Sequence, residues 1–179
     1  MESPSARHHA ALTEPSIWVR RWAPLVRTGG AVLDVACGNG RHALFFATLG
    51  HRVEAVDRDA AAVAALATQA GITARCADIE SGPWPYAGRQ FAAVVVTNYL
   101  HRPLFPALMA ALAPGGVLIY ETFAQGNEAH GRPANPDFLL QPGELLRAVG
   151  AARVVAYEDV YVEEPKPAVV QRITAVVKG

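Results

Sequence analysis

The sequence predicts an α/β protein: a doubly wound, seven-stranded, mostly parallel sheet with helices on both faces and an antiparallel hairpin at its C-terminal end. Three observations predict it. Strand-like and helix-like segments alternate from residue 31 to residue 149. A glycine turn, Gly38-Asn39-Gly40, follows the first strand. The last two apolar runs, 152–162 and 168–177, leave no room for a helix between them and must pair antiparallel.

Residues 15–27 read as a helix ahead of the first strand, with Trp18 and Trp22 four apart on one face. Residues 1–28 are expected to form a helical cap on a core of 29–179, the whole chain being one domain. Residues 31–36 (AVLDVA) are an apolar strand that stops at the glycine turn. Residues 41–49 are helical and close at Gly50. Residues 52–57 alternate as a second strand, and Asp59 caps an alanine-rich helix that ends near Gly71. A third strand covers 72–77. The fourth, 91–97 (FAAVVVT), is apolar throughout and therefore buried on both faces. Helix 104–112 is expected to stop at Pro114-Gly115-Gly116, before a fifth strand at 117–123 and a helix at 143–149. Residues 124–141 are rich in Gly, Pro and Asn and lack periodicity, as a lid or binding segment does.

Composition narrows the partners. Sixteen Lys+Arg balance sixteen Asp+Glu, and only Arg20-Arg21 are contiguous, so a nucleic-acid partner is not expected. Two cysteines and six histidines without ligand spacing predict neither a disulfide framework nor a metal site. No apolar run approaches the ~20 residues of a membrane span, and residues 1–9 lack a signal-peptide core. A soluble, cytoplasmic protein is expected.

Ligands of doubly wound sheets bind beyond the carboxyl ends of the strands. Gly38-x-Gly40-x-x-Ala43 would by itself suit a nicotinamide nucleotide as well as any other. Asp34, however, sits inside an apolar strand, where an unpaired carboxylate is expensive and asks for a cationic partner such as the α-amino group of S-adenosylmethionine. Asp57 ends the second strand nineteen residues after Gly38, where a carboxylate accepts hydrogen bonds from ribose hydroxyls. Asp78-Ile79, after the third strand, is placed to bond an adenine amino group and pack on its ring.

With these residues in view the chain resembles the class I S-adenosylmethionine-dependent methyltransferases, which are Rossmann-like. The segments DVACGNG, VEAVDRD, CADIE and APGGVLIYE occur in the family's order, and the resemblance covers about residues 30–177. It implies S-adenosylmethionine as cofactor and S-adenosylhomocysteine as product. The implied contacts are Asp34, Cys37, Gly38, Gly40, Asp57, Arg58, Asp78, Ile79 and Asn98, with Cys37 standing where many members carry glycine. Within the class the chain is most similar to small tellurite-resistance-type and related small-molecule methyltransferases.

Methyl transfer needs the nucleophile held in line with the methyl carbon and water kept out. The loop Asn98–Pro103 is the expected acceptor side. His101 is the candidate general base, being titratable near neutrality, and Arg102 the candidate anion holder. Trp18, Tyr99, His130 and Arg132 are candidate substrate contacts. Packing, for Trp18, and helix opening, for Arg102, are the competing roles. Asn98-Tyr99 lacks the prolines of the Asn-Pro-Pro-Tyr motif, so amino methylation is not carried over. The expected function is methyl transfer to a small molecule; a non-catalytic S-adenosylmethionine-binding module and a nicotinamide-dependent oxidoreductase are the alternatives.

Overall fold

A computed structural model describes residues 13–179; the polar start, 1–9, and the cap through residue 12 lie outside the described residues. The strands are β1 (Val32–Val35), β2 (Val53–Asp57), β3 (Ile72–Cys76), β4 (Phe91–Thr97), β5 (Leu112–Phe123), β6 (Arg153–Val162) and β7 (Ala168–Val176). They form one sheet in the order β3-β2-β1-β4-β5-β7-β6. The first five run parallel, and β7 is antiparallel to both β5 and β6. The order reverses between β1 and β4, so the switch point, where such sheets bind ligands, lies at the ends of those two strands. The expected hairpin is present, and its second strand is the one that docks on β5, leaving β6 at the edge.

Among the described residues five α-helices accompany the sheet: α1 (Ile17–Trp22), α2 (Arg41–Thr48), α3 (Ala60–Leu66), α4 (Phe105–Ala110) and α5 (Glu144–Ala148). Ser16 caps α1 by accepting from the amides of Trp18 and Val19. Asp59 caps α3 through the amides of Ala61 and Ala62, as its spacing predicts. The first helix is shorter than expected because Pro24 stands in the next turn, which tightens into a 3-10 helix over Ala23–Leu25. At the other correction, Leu112 already pairs with Phe91, so Pro114-Gly115-Gly116 is an irregularity inside β5 and not the end of a helix. A Cβ on Gly116 would stand 2.7 Å from the Ala113 carbonyl oxygen, which is why glycine is needed there.

The central strands divide the core by strict alternation. Leu33, Val35, Val94, Val96, Leu118 and Tyr120 face α4 and α5, packing with Leu108 and Leu145. Val32, Val95, Val117 and Ile119 face the other way, against Trp18 of α1 and Phe46 of α2. Both faces are covered, so the uninterrupted apolar run of β4 has no polar side to show. The polar edge of this frame is the row of strand ends, and the cavities open there.

Candidate functional site

The glycine turn between β1 and α2 is held from two sides. The amide of Gly38 donates to Asp57 Oδ2 at 2.8 Å, and the Asp59 amide donates to Asp57 Oδ1 at 2.9 Å. Gly40 adopts φ +75°, and a Cβ there would meet Leu66 at 2.2 Å, so this glycine serves helix packing. Gly38, at φ +52°, has nothing within 4 Å of its Cβ position, so its surroundings are open. The two glycines of one motif therefore do different work.

Asp34 lies behind the turn, 1% exposed, and its Oδ2 accepts from the Ala43 amide at 2.9 Å in the first turn of α2. Burial pushes its carboxyl up to about 7, opposed by that hydrogen bond and by Arg41. A helix N-terminus is thus one partner of this carboxylate, and Asp34 lines neither of the cavities in the structure. His42 is the polar group that the motif hides. It is 2% exposed, its Nε2 accepts from the Ser16 amide, and its Nδ1 is 3.3 Å from the Thr97 hydroxyl. Accepting at Nε2 leaves the proton on Nδ1. Burial, seconded by Arg41, lowers its pKa to about 3, so the ring is neutral. Cys37 is buried, and desolvation raises its thiol pKa.

A cleft of about 420 Å³ opens over the strand ends. It is bordered by Asp57 and Arg58 after β2, Asp78 and Ile79 after β3, and Asn98 and Tyr99 after β4. Six of the residues expected from the sequence therefore meet in one place. Asp78 Oδ1 accepts from the amides of Glu80 and Ser81, which hold its carboxyl below the usual range. The backbone at Ala36 and Asn98 is left-handed, with φ +52° and +53°, at the switch point itself. The Tyr99 hydroxyl is buried beside Glu80 without a hydrogen-bond partner, while its own carbonyl accepts from Tyr120 at 2.8 Å. An unpaired buried hydroxyl in a cleft with three carboxylates fits a polar ligand such as an adenosine nucleoside. Glu80, Leu100, Thr122 and Phe138 also line the cleft and carried no signal in the sequence.

Other expected site residues stand elsewhere. Arg102 uses four of its five N–H groups within the chain: Nε and Nη2 donate to Glu144 at 2.6 and 3.0 Å, and Nη1 and Nη2 donate to the carbonyls of Asp137 and Leu139 at 2.7 and 2.9 Å. It ties the segment after β5 to the loop after β4 and lines neither cavity. His101 lies one residue beyond the cleft wall and lines neither cavity. Trp18 is 2% exposed, donating its indole N–H to the Ile173 carbonyl, and is core. His130 packs with its ring tilted against Tyr161 at 4.9 Å, and Arg132 is exposed and lines neither cavity. From the segment 124–141 it is Pro133 and Phe138 that reach the cleft. That segment is fastened by Asn127, which donates to the Pro133 carbonyl and accepts from the Val169 amide. Among the described residues no three His, Cys, Asp or Glu side chains gather as metal ligands, and no helix is long and apolar enough to cross a membrane.

A second cavity, of about 300 Å³, adjoins the first; Asn98 and Phe123 border both. It lies between α1, the start of α2 and the β6–β7 hairpin.

Comparisons with known proteins agree with this geometry. Residues 32–116 match the model of the methyltransferase domain family. The fold is similar to TehB from Haemophilus influenzae, with TM-score 0.75 and 16% identity over 97% of this chain and 65% of that protein. It is also similar to a TehB-like S-adenosylmethionine-dependent methyltransferase from Corynebacterium glutamicum, with TM-score 0.69 and 15% identity over 98% and 95% of the two chains. A third, from Mesorhizobium loti, has TM-score 0.68 and 18% identity over 88% and 96%. The chain thus spans about two thirds of the H. influenzae protein and nearly all of the other two. No curated protein matches it in sequence.

Proposed function

We propose that the chain, whose residues 32–116 match the methyltransferase domain family, is a class I S-adenosylmethionine-dependent methyltransferase that methylates a small molecule in the cytoplasm. The observation that carries the reading is the pairing of the two cavities. One bears the polar groups that suit an adenosine; the other, of about 300 Å³, is sized for a small acceptor and shares Asn98 and Phe123 with the first. Two free thiols, Cys37 and Cys76, support a reducing compartment.

In this reading Asp57 accepts hydrogen bonds from the ribose hydroxyls with lone pairs not used by Gly38 and Asp59. Asp78 accepts from the adenine amino group, Ile79 packs on the ring, and Gly38 lets the backbone come close. Arg58, Asn98 and Tyr99 complete the wall. Bound there, the cofactor supplies a methyl group activated by a sulfonium. The protein's part is to hold the acceptor in line and keep water away, which the common wall at Asn98 and Phe123 serves.

Two measurements test it. Asp57→Ala should weaken S-adenosylhomocysteine binding roughly 100-fold by calorimetry, as expected for loss of charge-assisted hydrogen bonds; an unchanged Kd would remove Asp57 from the ribose site. Labelled methyl from S-adenosylmethionine, offered to a cell extract, should enter its small-molecule fraction. Label in the protein or nucleic-acid fraction instead would overturn the acceptor class.

A further inference from the structure

The second cavity contains a carboxylate that no partner satisfies fully. Glu121 ends the buried part of β5 on the face shared with Ile119, its side chain 13% exposed. Its cross-strand neighbour Arg172 gives Nε and Nη2 to Glu158, at 2.7 and 2.6 Å, and stands 3.8 Å from Glu121. The groups facing Glu121 are Arg172 of β7, Arg41 of α2, Ser16 ahead of α1, and Glu158 of β6 across Arg172. Ser16 already accepts two amides at its oxygen, so its hydroxyl proton is available to Glu121. Burial raises the Glu121 carboxyl above its ordinary range, against Ser16 and the two arginines, making it a better proton acceptor than an exposed glutamate.

The rest of the cavity is divided by chemistry. Phe123, Val162 and Val170 give it apolar walls. At the mouth stand Arg20 of α1 and Lys166 of the hairpin turn, whose ammonium lies 5.6 Å over the Phe123 ring. No ion pair holds either cation among the described residues, and the acids at the mouth, Glu14 and Glu164, are exposed. An ammonium acceptor would enter among four cationic side chains, Arg20, Arg41, Lys166 and Arg172. An anion is drawn by them instead.

We infer that this cavity takes a small organic acid bearing a hydroxyl, with its acid group against Arg20 and Lys166 and its hydroxyl against Glu121, which accepts the proton. The inference rests on the methyl-transfer reading and names its substrate class. In the step, the hydroxyl proton passes to a Glu121 carboxylate oxygen as the acceptor oxygen bonds to the methyl carbon. The carbon–sulfur bond breaks with its electron pair going to sulfur, and the products are a methyl ether and S-adenosylhomocysteine. The proton on Glu121 then leaves to water.

The test divides the small-molecule extract on an anion-exchange resin and offers each part to the full chain with methyl-labelled S-adenosylmethionine. Label is expected in the retained, anionic part, on an oxygen. With the acceptor purified from that part, Glu121→Gln should lower kcat at least 100-fold while S-adenosylhomocysteine binding stays at the parent value. Arg20→Ala with Lys166→Ala, both at the mouth, should raise KM roughly tenfold with kcat little changed. Label only in the unretained part, or on nitrogen, would overturn the inference and leave methyl transfer standing, as would Glu121→Gln turning over at the parent rate. No label in any small-molecule part would remove the small-acceptor reading, and this inference with it.

Discussion

The two cavities lie side by side at one end of the sheet and are built in opposite ways. The larger takes much of its lining in pairs from the ends of successive strands: Asp57 and Arg58, Asp78 and Ile79, Asn98 and Tyr99. Each pair sits at or just past the end of its strand, and the parallel register of β1, β2, β3 and β4 brings the strand ends level. The smaller draws Arg20, Arg41, Glu121, Lys166 and Arg172 from a helix, a helix start, two strands and a turn. A site built from strand ends inherits its geometry from the sheet alone. A site built across layers depends on how the layers pack.

The largest effect that would sharpen this contrast is expected within the glycine turn. Gly40→Ala places a Cβ against Leu66 at φ +75° and should cost about 3 kcal/mol, from strain and overpacking together. By thermal unfolding that is a drop of roughly 6–12 °C. Gly38→Ala meets no atom within 4 Å and should lose about 1–2 kcal/mol from its left-handed backbone, yet weaken S-adenosylhomocysteine binding where Gly40→Ala acts on stability. Equal losses of stability in the two variants would break the division of labour between them.

A smaller effect separates the cavities themselves. Arg102→Ala releases Glu144 and the carbonyls of Asp137 and Leu139, and so the support of Phe138 over the first cleft. It should lower stability by about 1–2 kcal/mol and weaken S-adenosylhomocysteine binding several-fold. If Arg102 instead held an anionic acceptor, the variant would raise the acceptor KM and leave cofactor affinity unchanged.

The effect that is smallest in the parent, because two opposite slopes offset each other there, concerns the groups behind the turn. Asp34 has its pKa raised from 3.8 to about 7, so between those values the folded chain keeps a proton that the unfolded chain has released, and stability falls as pH rises. His42 has its pKa lowered from 6.5 to about 3, so over that range the unfolded chain binds the extra proton, and stability rises with pH. The two slopes oppose each other between about pH 4 and 6.5. Asp34→Asn, which keeps an oxygen for the Ala43 amide, should therefore make the melting temperature rise with pH across that window more steeply than in the parent. His42→Asn should make it fall. Parallel curves for parent and both variants would show that neither group titrates as its burial implies.

Much of the fold was legible in the sequence because its determinants are short-range. The apolar run of β4, the Asp59 cap and the hairpin at Glu163–Pro167 each sit within a dozen residues, and the strand ends carry the first cleft with them. Where the reading missed, the deciding partner is distant. Arg102 looks free beside Pro103 and is claimed by Glu144, 42 residues on. Trp18 could face a pocket or the core, and its bond to the Ile173 carbonyl, 155 residues away, settles it as core. Asp34 differs, since the Ala43 amide that bonds its Oδ2 is only nine residues on but is aimed there only once α2 is set on β1.

By itself, then, the amino-acid sequence determined the alternation of elements, the glycine turn and the carboxylates after β2 and β3, since hydrophobic period and turn chemistry act over a few residues. The tertiary structure alone decided which charged side chains are spent on one another and which remain to meet a ligand. Glu121 shows why: its exposure and its loose partnership with Arg172 follow from β7 docking between β5 and β6 and α1 closing over the sheet, and no local pattern encodes either.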